Sequence, residues 1–262
     1  MAGGDPLTPE ERDAYEADLI SFCDRELDRL GDIRGLDVLY AGGASLLWLE
    51  GLAQRIGAGG AGSLTALEID EDKVEAARLA LPEAELHLPV QVLRGDVFDP
   101  PFEPGSFDLA YSAGLFHELD VRENPAEKAV QALVGAVRPG GRVSTSDFVD
   151  TMPSVQIEEE CLLADLAREA LGKRLYGINA PDRLVELHRK FLSGVRWHVS
   201  PPCQIRHLDK LVLCEEEPPT LQHLAPDAAR TFRARREDLR GRIRREGYPR
   251  PATLYVEGTV AG

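Results

Sequence analysis

Cysteine is scarce: Cys23, Cys161, Cys203 and Cys214 lie far apart in 262 residues, with no C-x-x-C pair. That spacing excludes a disulfide scaffold and a zinc ribbon, so free thiols and no metal are expected. Long apolar runs are missing too. None approaches the roughly 20 residues that a membrane-spanning helix needs, and the opening Met-Ala-Gly-Gly-Asp-Pro has no basic-then-apolar leader. The expectation is a soluble, cytoplasmic protein with no membrane partner. Positive charge is outnumbered: 30 Lys and Arg stand against 45 Asp and Glu, for a formal charge of -15. Nucleic-acid backbones call for a basic face, so nucleic acid is not an expected partner. Aromatic residues make up 6%, while Ala, Leu, Arg and Glu are plentiful, as in helix-rich α/β chains. No internal repeat or low-complexity segment is present.

The strongest signal runs from Leu36 to Ile69. Leu36-Asp37-Val38-Leu39-Tyr40-Ala41 reads as a buried strand that breaks into Gly42-Gly43-Ala44-Ser45 and then a helix from Leu46 to Ile56. Leu64 to Ile69 is a second strand, ending on the carboxylate of Glu68. This order sets a helix N-terminus and a carboxylate beside one crevice, which suits a nucleoside-like ligand. The alternative is a plain β-α-β unit whose glycines serve only the turn. Between these strands, Gly57-Ala58-Gly59-Gly60-Ala61-Gly62 satisfies G-x-G-x-x-G literally. A dinucleotide fingerprint must follow a strand and open a helix, whereas this one follows a helix and enters a strand, so it reads as a connection.

Upstream, Thr8-Pro9-Glu10-Glu11 opens an amphipathic helix to Leu30, with Thr8 as N-cap and proline at the first helical position. Tyr15 and Phe22 on it are candidates to cover the crevice; packing alone is the plainer reading. Downstream, Asp70 to Leu79 reads as a helix with acids in its first turn, and Val90 to Arg94 as a third strand leading to Gly95-Asp96-Val97. Ser106 to Ser112 is a fourth strand, followed by the loop Ala113 to Leu119. A helix from about Pro125 to Val137 stops at Arg138-Pro139-Gly140-Gly141, and Arg142 to Phe148 is a fifth strand. Strands alternating with helices predict a parallel sheet covered on both faces, with ligands beyond the C-terminal strand ends.

These segments, in this order, resemble the class I S-adenosylmethionine-dependent methyltransferases, in their small-molecule branch. Val38 to Ser45 is similar to the family's V-L-D-x-G-C-G-T-G loop, and Leu67 to Arg78 to its second-strand acid and following helix. Gly95-Asp96-Val97, Pro101-Phe102 and Ser106 to Leu109 resemble its G-D-A, L-P-F and F-D pattern, and Val137 to Arg142 its L-K-P-G-G turn. The resemblance implies an α/β, Rossmann-like three-layer sandwich: a mostly parallel seven-stranded sheet, helices on both faces and an antiparallel edge strand. It also implies three segments: residues 1–35 as a helix covering the pocket, 36–150 as the cofactor-binding core, and 151–262 as inserted helices, acceptor cover and last strands.

The roles carry over by position. Ala41, Gly42, Gly43 and Ala44 would approach the methionine part of S-adenosylmethionine, Glu68 would take the ribose hydroxyls, and Ile69 would lie on the adenine. Asp96 would accept from the adenine amino group beside Val97, and Ser112 and Ala113 would flank the sulfonium. S-adenosylhomocysteine would be the product. Two positions depart from the pattern: the acid before the loop is Tyr40, and the loop's last glycine is Leu46.

Methyl transfer chiefly requires alignment and exclusion of water; a base matters when the acceptor must lose a proton. His117 is the candidate base or acceptor-positioning group by its neutral-range pKa, the alternative being a loop-packing histidine. Ile157 to Leu171 and Pro181 to Phe191 read as helices. Tyr176, Asn179 and Arg183 are candidates for the acceptor wall, or else solvated loop residues. Val195 to Val199 is a strand, Leu208 to Cys214 either strand or helix, and Ala252 to Gly258 a last strand taken as the antiparallel edge. The arginine-rich Pro226 to Glu246 is either an anion-binding helix or a salt-bridged surface helix. The function expected is methyl transfer to a small-molecule acceptor, in a chain that could form a homodimer. The alternatives are a non-catalytic methyltransferase-like partner protein, suggested by Tyr40 and Leu46, and an NAD-type oxidoreductase, disfavoured by the missing fingerprint.

Overall fold

The computed structural model describes residues 6–84, 86–119, 125–152, 154–172 and 180–262. One seven-stranded sheet organises them, in the order β3-β2-β1-β4-β5-β7-β6. Its parallel strands are β1 (Asp37–Ala41), β2 (Ser63–Glu68), β3 (Val90–Arg94), β4 (Phe107–Ala113) and β5 (Val137–Phe148). The last strand, β7 (Thr253–Thr259), runs antiparallel to β5 and to β6 (Ser193–Ser200). β7 is therefore antiparallel, as expected, but it lies inside the sheet, and β6 takes the edge. β5 also starts earlier than expected, because Val137 already pairs with Phe107 before the Pro139-Gly140-Gly141 turn.

Alternation along the strands divides the core into two layers. Val38 and Tyr40, with Leu64 and Ala66, face α1 (Pro9–Asp28), α2 (Leu46–Gly57) and α3 (Glu71–Ala80) through Leu27, Leu52 and Val74. Leu39 and Ala41, with Val143 and Val256, face α4 (Pro125–Ala136) and α6 (Pro181–Phe191) through Val130, Leu133 and Leu184. The start of α1 carries the expected capping box: the Thr8 side chain accepts from the Glu11 N–H, and Glu11 accepts from the Thr8 N–H.

A third cluster joins α5 (Val155–Leu171), α7 (Leu208–Cys214) and α8 (Pro226–Glu246) through Leu162, Leu166, Phe232, Leu239 and Ile243. The segment read as strand or helix is thus the helix α7. Most arginines of α8 are engaged within the protein: Arg233 pairs with Glu217, Arg235 with Asp165, Arg242 with Glu158, and Arg236 donates to the carbonyls of Glu215 and Glu216. α8 is a salt-bridged surface helix. Residues 58–62, with their decoy glycine pattern, simply connect α2 to β2.

One buried polar chain ties β4, β5 and α6 together. The His188 ring donates from Nδ1 to the Leu184 carbonyl (2.7 Å), so its Nε2 accepts from the Thr145 hydroxyl (3.0 Å), which in turn accepts from Ser112 (3.3 Å). Burial drives the His188 pKa down to about 4, against the smaller opposing effect of the Leu184 carbonyl. From about pH 6.5 down to 4 only the unfolded chain takes up this proton, so stability falls as pH falls, by roughly 3 kcal/mol at most. Urea unfolding between pH 7 and 4 should show wild type losing stability relative to His188→Asn across that window.

Candidate functional site

The sheet order changes direction at β1 and β4. From β1 the chain winds outward through β2 and β3, then crosses back to β4 on the other side. The loops leaving β1 and β4 consequently diverge and open a crevice above the strand ends. Two cavities occupy it. They share a wall of Gly42, Trp48 and Ala113.

The larger, about 500 Å³, is lined by Gly42, Gly43 and Ala44 of the β1–α2 loop, Glu68 at the end of β2, and Lys73 and Ala77 of α3, among others. Glu68 is buried and accepts the Asp70 N–H at 2.9 Å through one carboxylate oxygen. Asp70 in turn caps α3 by accepting from the N–H groups of Asp72 and Lys73. The next side chain, Ile69, is 65% exposed, an apolar face beside a buried acid. Tyr40 lies buried under the loop, stacked on Tyr111 at 6.0 Å and tilted against Trp48 at 6.5 Å. A Cβ on Gly43 would lie 2.5 Å from the Tyr40 hydroxyl. Glycine is needed there for the tyrosine to fill the space where the resemblance expects an acid. Leu46 lines the same cavity at the start of α2. Small side chains, a glycine turn at a helix start and one buried carboxylate suit an adenosine-type ligand; the altered contact is the one at Tyr40.

Of the residues expected around the cofactor, Gly42, Gly43, Ala44, Glu68 and Ala113 come together on this cavity. Ala41 is fully buried at the end of β1 and Ile69 is exposed just past the end of β2; neither lines either cavity. Asp96 is exposed and holds its own turn by accepting the Phe98 N–H at 2.9 Å. Neither it nor Val97 lines either cavity. Ser112 also departs from the expectation: it is fully buried, bonded to Thr145 inside the sheet, and lines neither cavity. Side chains alternate across a strand, so with Ala113 on the crevice Ser112 belongs to the interior. Lys73 and Trp48 were not anticipated.

The smaller cavity, about 190 Å³, holds His117. Asp147, at the end of β5, fixes this histidine. One carboxylate oxygen is 2.8 Å from His117 Nδ1, and the other accepts the Phe116 N–H at 2.6 Å. The Gly114 turn (φ +79°) keeps the ring close: a Cβ there would lie 3.2 Å from His117 Cε1. With Nδ1 committed to Asp147, Nε2 is the nitrogen free for a ligand. Burial alone would lower the His117 pKa, but the charge and hydrogen bond of Asp147 outweigh it and hold the ring above its ordinary value. Glu118 stands beside it; although the side chain reaches solvent, the surrounding protein raises its pKa above the usual carboxylate range. Phe22 of α1, Phe148, Trp48 and Arg250 close the walls. Of the candidate cover residues, Phe22 reaches the cavity and Tyr15 does not. Arg183 is exposed on α6, and Tyr176 and Asn179 lie outside the described residues. Sequence reading missed Asp147, whose only signal was an acid at a parallel strand's C-terminal end.

Residues 36–145 match the family model described as "Methyltransferase domain". Over residues 36–145 the chain carries an S-adenosylmethionine-dependent methyltransferase domain. Among solved structures, the methyltransferase domain and its flanking segments align with an S-adenosylmethionine-dependent methyltransferase from Aquifex aeolicus at 15% identity, covering 99% of this chain and 100% of the other, TM-score 0.54. They align with geranyl diphosphate C-methyltransferase from Streptomyces coelicolor A3(2) at 13% identity, covering 98% and 83%, TM-score 0.57. The cyclase SpnF aligns at 16% identity, covering 93% and 82%, TM-score 0.60. At these identities the likeness establishes the fold. No curated protein sequence matches the chain.

Proposed function

We propose that the protein transfers a methyl group from S-adenosylmethionine to a small-molecule acceptor held in the 190 Å³ cavity. The observation that carries this reading is the shared wall: Gly42, Trp48 and Ala113 border both cavities, so a ligand in each would meet across the β1 loop. S-adenosylmethionine supplies, when bound, an electrophilic methyl group on a sulfonium. Gly42, Gly43 and Ala44 would hold its methionine part, Glu68 its ribose hydroxyls and Ile69 its adenine. His117 Nε2 takes a proton from the acceptor, and Asp147 steadies the resulting imidazolium. Phe22, Trp48 and Phe148 keep water from the reacting end, with α1 as the cover.

Buried Tyr40 in place of an acid favours a second reading, a binding protein that kept the fold without the reaction; one fold hosts many activities. Calorimetric titration with S-adenosylmethionine, S-adenosylhomocysteine and NAD tests the first. Micromolar binding of the first two and none of NAD is expected. Absence of binding by all three would leave the non-catalytic reading standing.

A further inference from the structure

Arg250 precedes β7, and its backbone is fixed by two hydrogen bonds to Cys203, at 2.8 and 3.2 Å. Its side chain runs into the smaller cavity. There the guanidinium carbon lies 4.5 Å from the Phe22 ring centre and 4.8 Å from that of Phe148, packed against both rings. Among the described residues no carboxylate lies within ion-pair distance of it, and its buried Nε has no hydrogen-bond partner. Nearby, Arg142 and Arg196 pair with Glu257 and Arg29 with Glu26, while Arg25 donates to the Ser21 hydroxyl at 2.7 Å. Glu26, whose charge reaches Arg250, is already taken by the Ser146 hydroxyl at 2.5 Å and by Arg29 at 3.5 Å. A half-buried guanidinium without a counter-charge is costly, and arginine does not escape that cost by losing its proton.

With aromatic rings against it, the guanidinium offers its edge, a planar fork of N–H donors matched to a carboxylate. The other end of the cavity has the opposite character. His117 lies 5.0 Å from the same Phe148 ring and is flanked by Asp147 and Glu118. Two carboxylates there would repel a dianion such as a phosphate, and the single unpaired cation matches a single negative charge. They would favour a basic nitrogen. The volume falls below the roughly 300–1,000 Å³ typical of drug-sized sites, so the occupant has few heavy atoms.

We infer that the acceptor is a small amino carboxylate, its carboxylate held by Arg250 and its nitrogen presented at His117. This rests on the methyltransferase reading of the same cavity. Neutral His117 receives a proton from the ammonium group, leaving an amine with a free lone pair and an imidazolium paired with Asp147. Arg250 is the specificity-determining group, and the aromatic walls accommodate a short apolar side chain.

The test loads wild-type protein with S-adenosylhomocysteine and titrates it calorimetrically with free amino acids from glycine to phenylalanine, each alongside its carboxamide. At least one amino acid should bind, with its amide at least tenfold weaker. In Arg250→Gln and Arg250→Leu that amino acid should lose at least tenfold in affinity, while S-adenosylhomocysteine binding stays within about twofold of wild type. Binding of S-adenosylhomocysteine with no amino acid binding would overturn this inference alone, as would an amide that binds as well as its acid. Should both variants fail to fold, the acid-to-amide ratio in wild type still decides. Failure of S-adenosylhomocysteine itself to bind would remove the underlying functional reading as well.

Discussion

Replacing His117 with Gln should lower kcat by about 100- to 10,000-fold, the usual range for losing a positioned acid or base, and leave S-adenosylhomocysteine affinity nearly unchanged. The separation follows from the two cavities, since His117 lines only the smaller one. The pH profile gives the sharper reading. Burial by itself would push the His117 pKa down; Asp147, with Glu118 and Glu160 contributing further negative charge, pushes it up and wins. Below its folded pKa the ring is cationic and cannot accept a proton. Activity should therefore rise with pH and level off only above a midpoint higher than the ordinary 6.5 or so of a histidine. Asp147→Asn removes the main opposing effect, leaves desolvation, and should move that midpoint to lower pH. The expected assay is formation of S-adenosylhomocysteine at saturating acceptor. A midpoint that stays in place in Asp147→Asn, or persists in His117→Gln, would mean that another group titrates.

The parts of this molecule that could be read from sequence are those set by local chemistry. The Thr8–Glu11 capping box, the run Val90 to Arg94 and the proline-led start of α6 at Pro181 each obey short-range rules, and the structure has them where expected. The place of Glu68 on the larger cavity was legible because the C-terminal end of a parallel strand beside a glycine turn borders the crevice. His117 was visible as a residue, but its partner was not: Asp147 lies 30 positions away and meets it only because β4 and β5 are neighbours in the sheet. Arg250 was invisible for the same reason, amplified. It stands at the end of an arginine-rich stretch in which Arg233, Arg235 and Arg242 form ion pairs on α8, and only the meeting of α1, the end of β5 and the approach to β7 sets it between Phe22 and Phe148. Ser112 went the other way. Its position at a strand end suggested the crevice, but strand alternation turns it into the chain of hydroxyls that ends on His188.

Glu68→Ala should weaken S-adenosylmethionine and S-adenosylhomocysteine binding by at least about 100-fold. A hydrogen bond to a charged acceptor is worth about 1.5–3 kcal/mol, and about 1.4 kcal/mol corresponds to tenfold in affinity; two ribose hydroxyls on one carboxylate reach the hundredfold level. Glu68→Gln separates charge from shape. Its carbonyl oxygen can still receive the Asp70 N–H, so α3 keeps its start, but the acceptor is neutral, and a loss nearer tenfold is expected. Both substitutions should leave the fold in place, because the side chain of Asp70, not Glu68, caps α3 through the Asp72 and Lys73 N–H groups. Circular dichroism and thermal unfolding check that point before the titrations are compared. The result also weighs the tyrosine at position 40. With no acid before the loop, Glu68 is the one carboxylate on the larger cavity among the described residues, so the polar recognition of the nucleoside falls largely on it. If Glu68→Ala binds S-adenosylhomocysteine as wild type does, the ligand does not lie along the end of β2, and the cavity assignments on both sides of Gly42 would have to be redrawn.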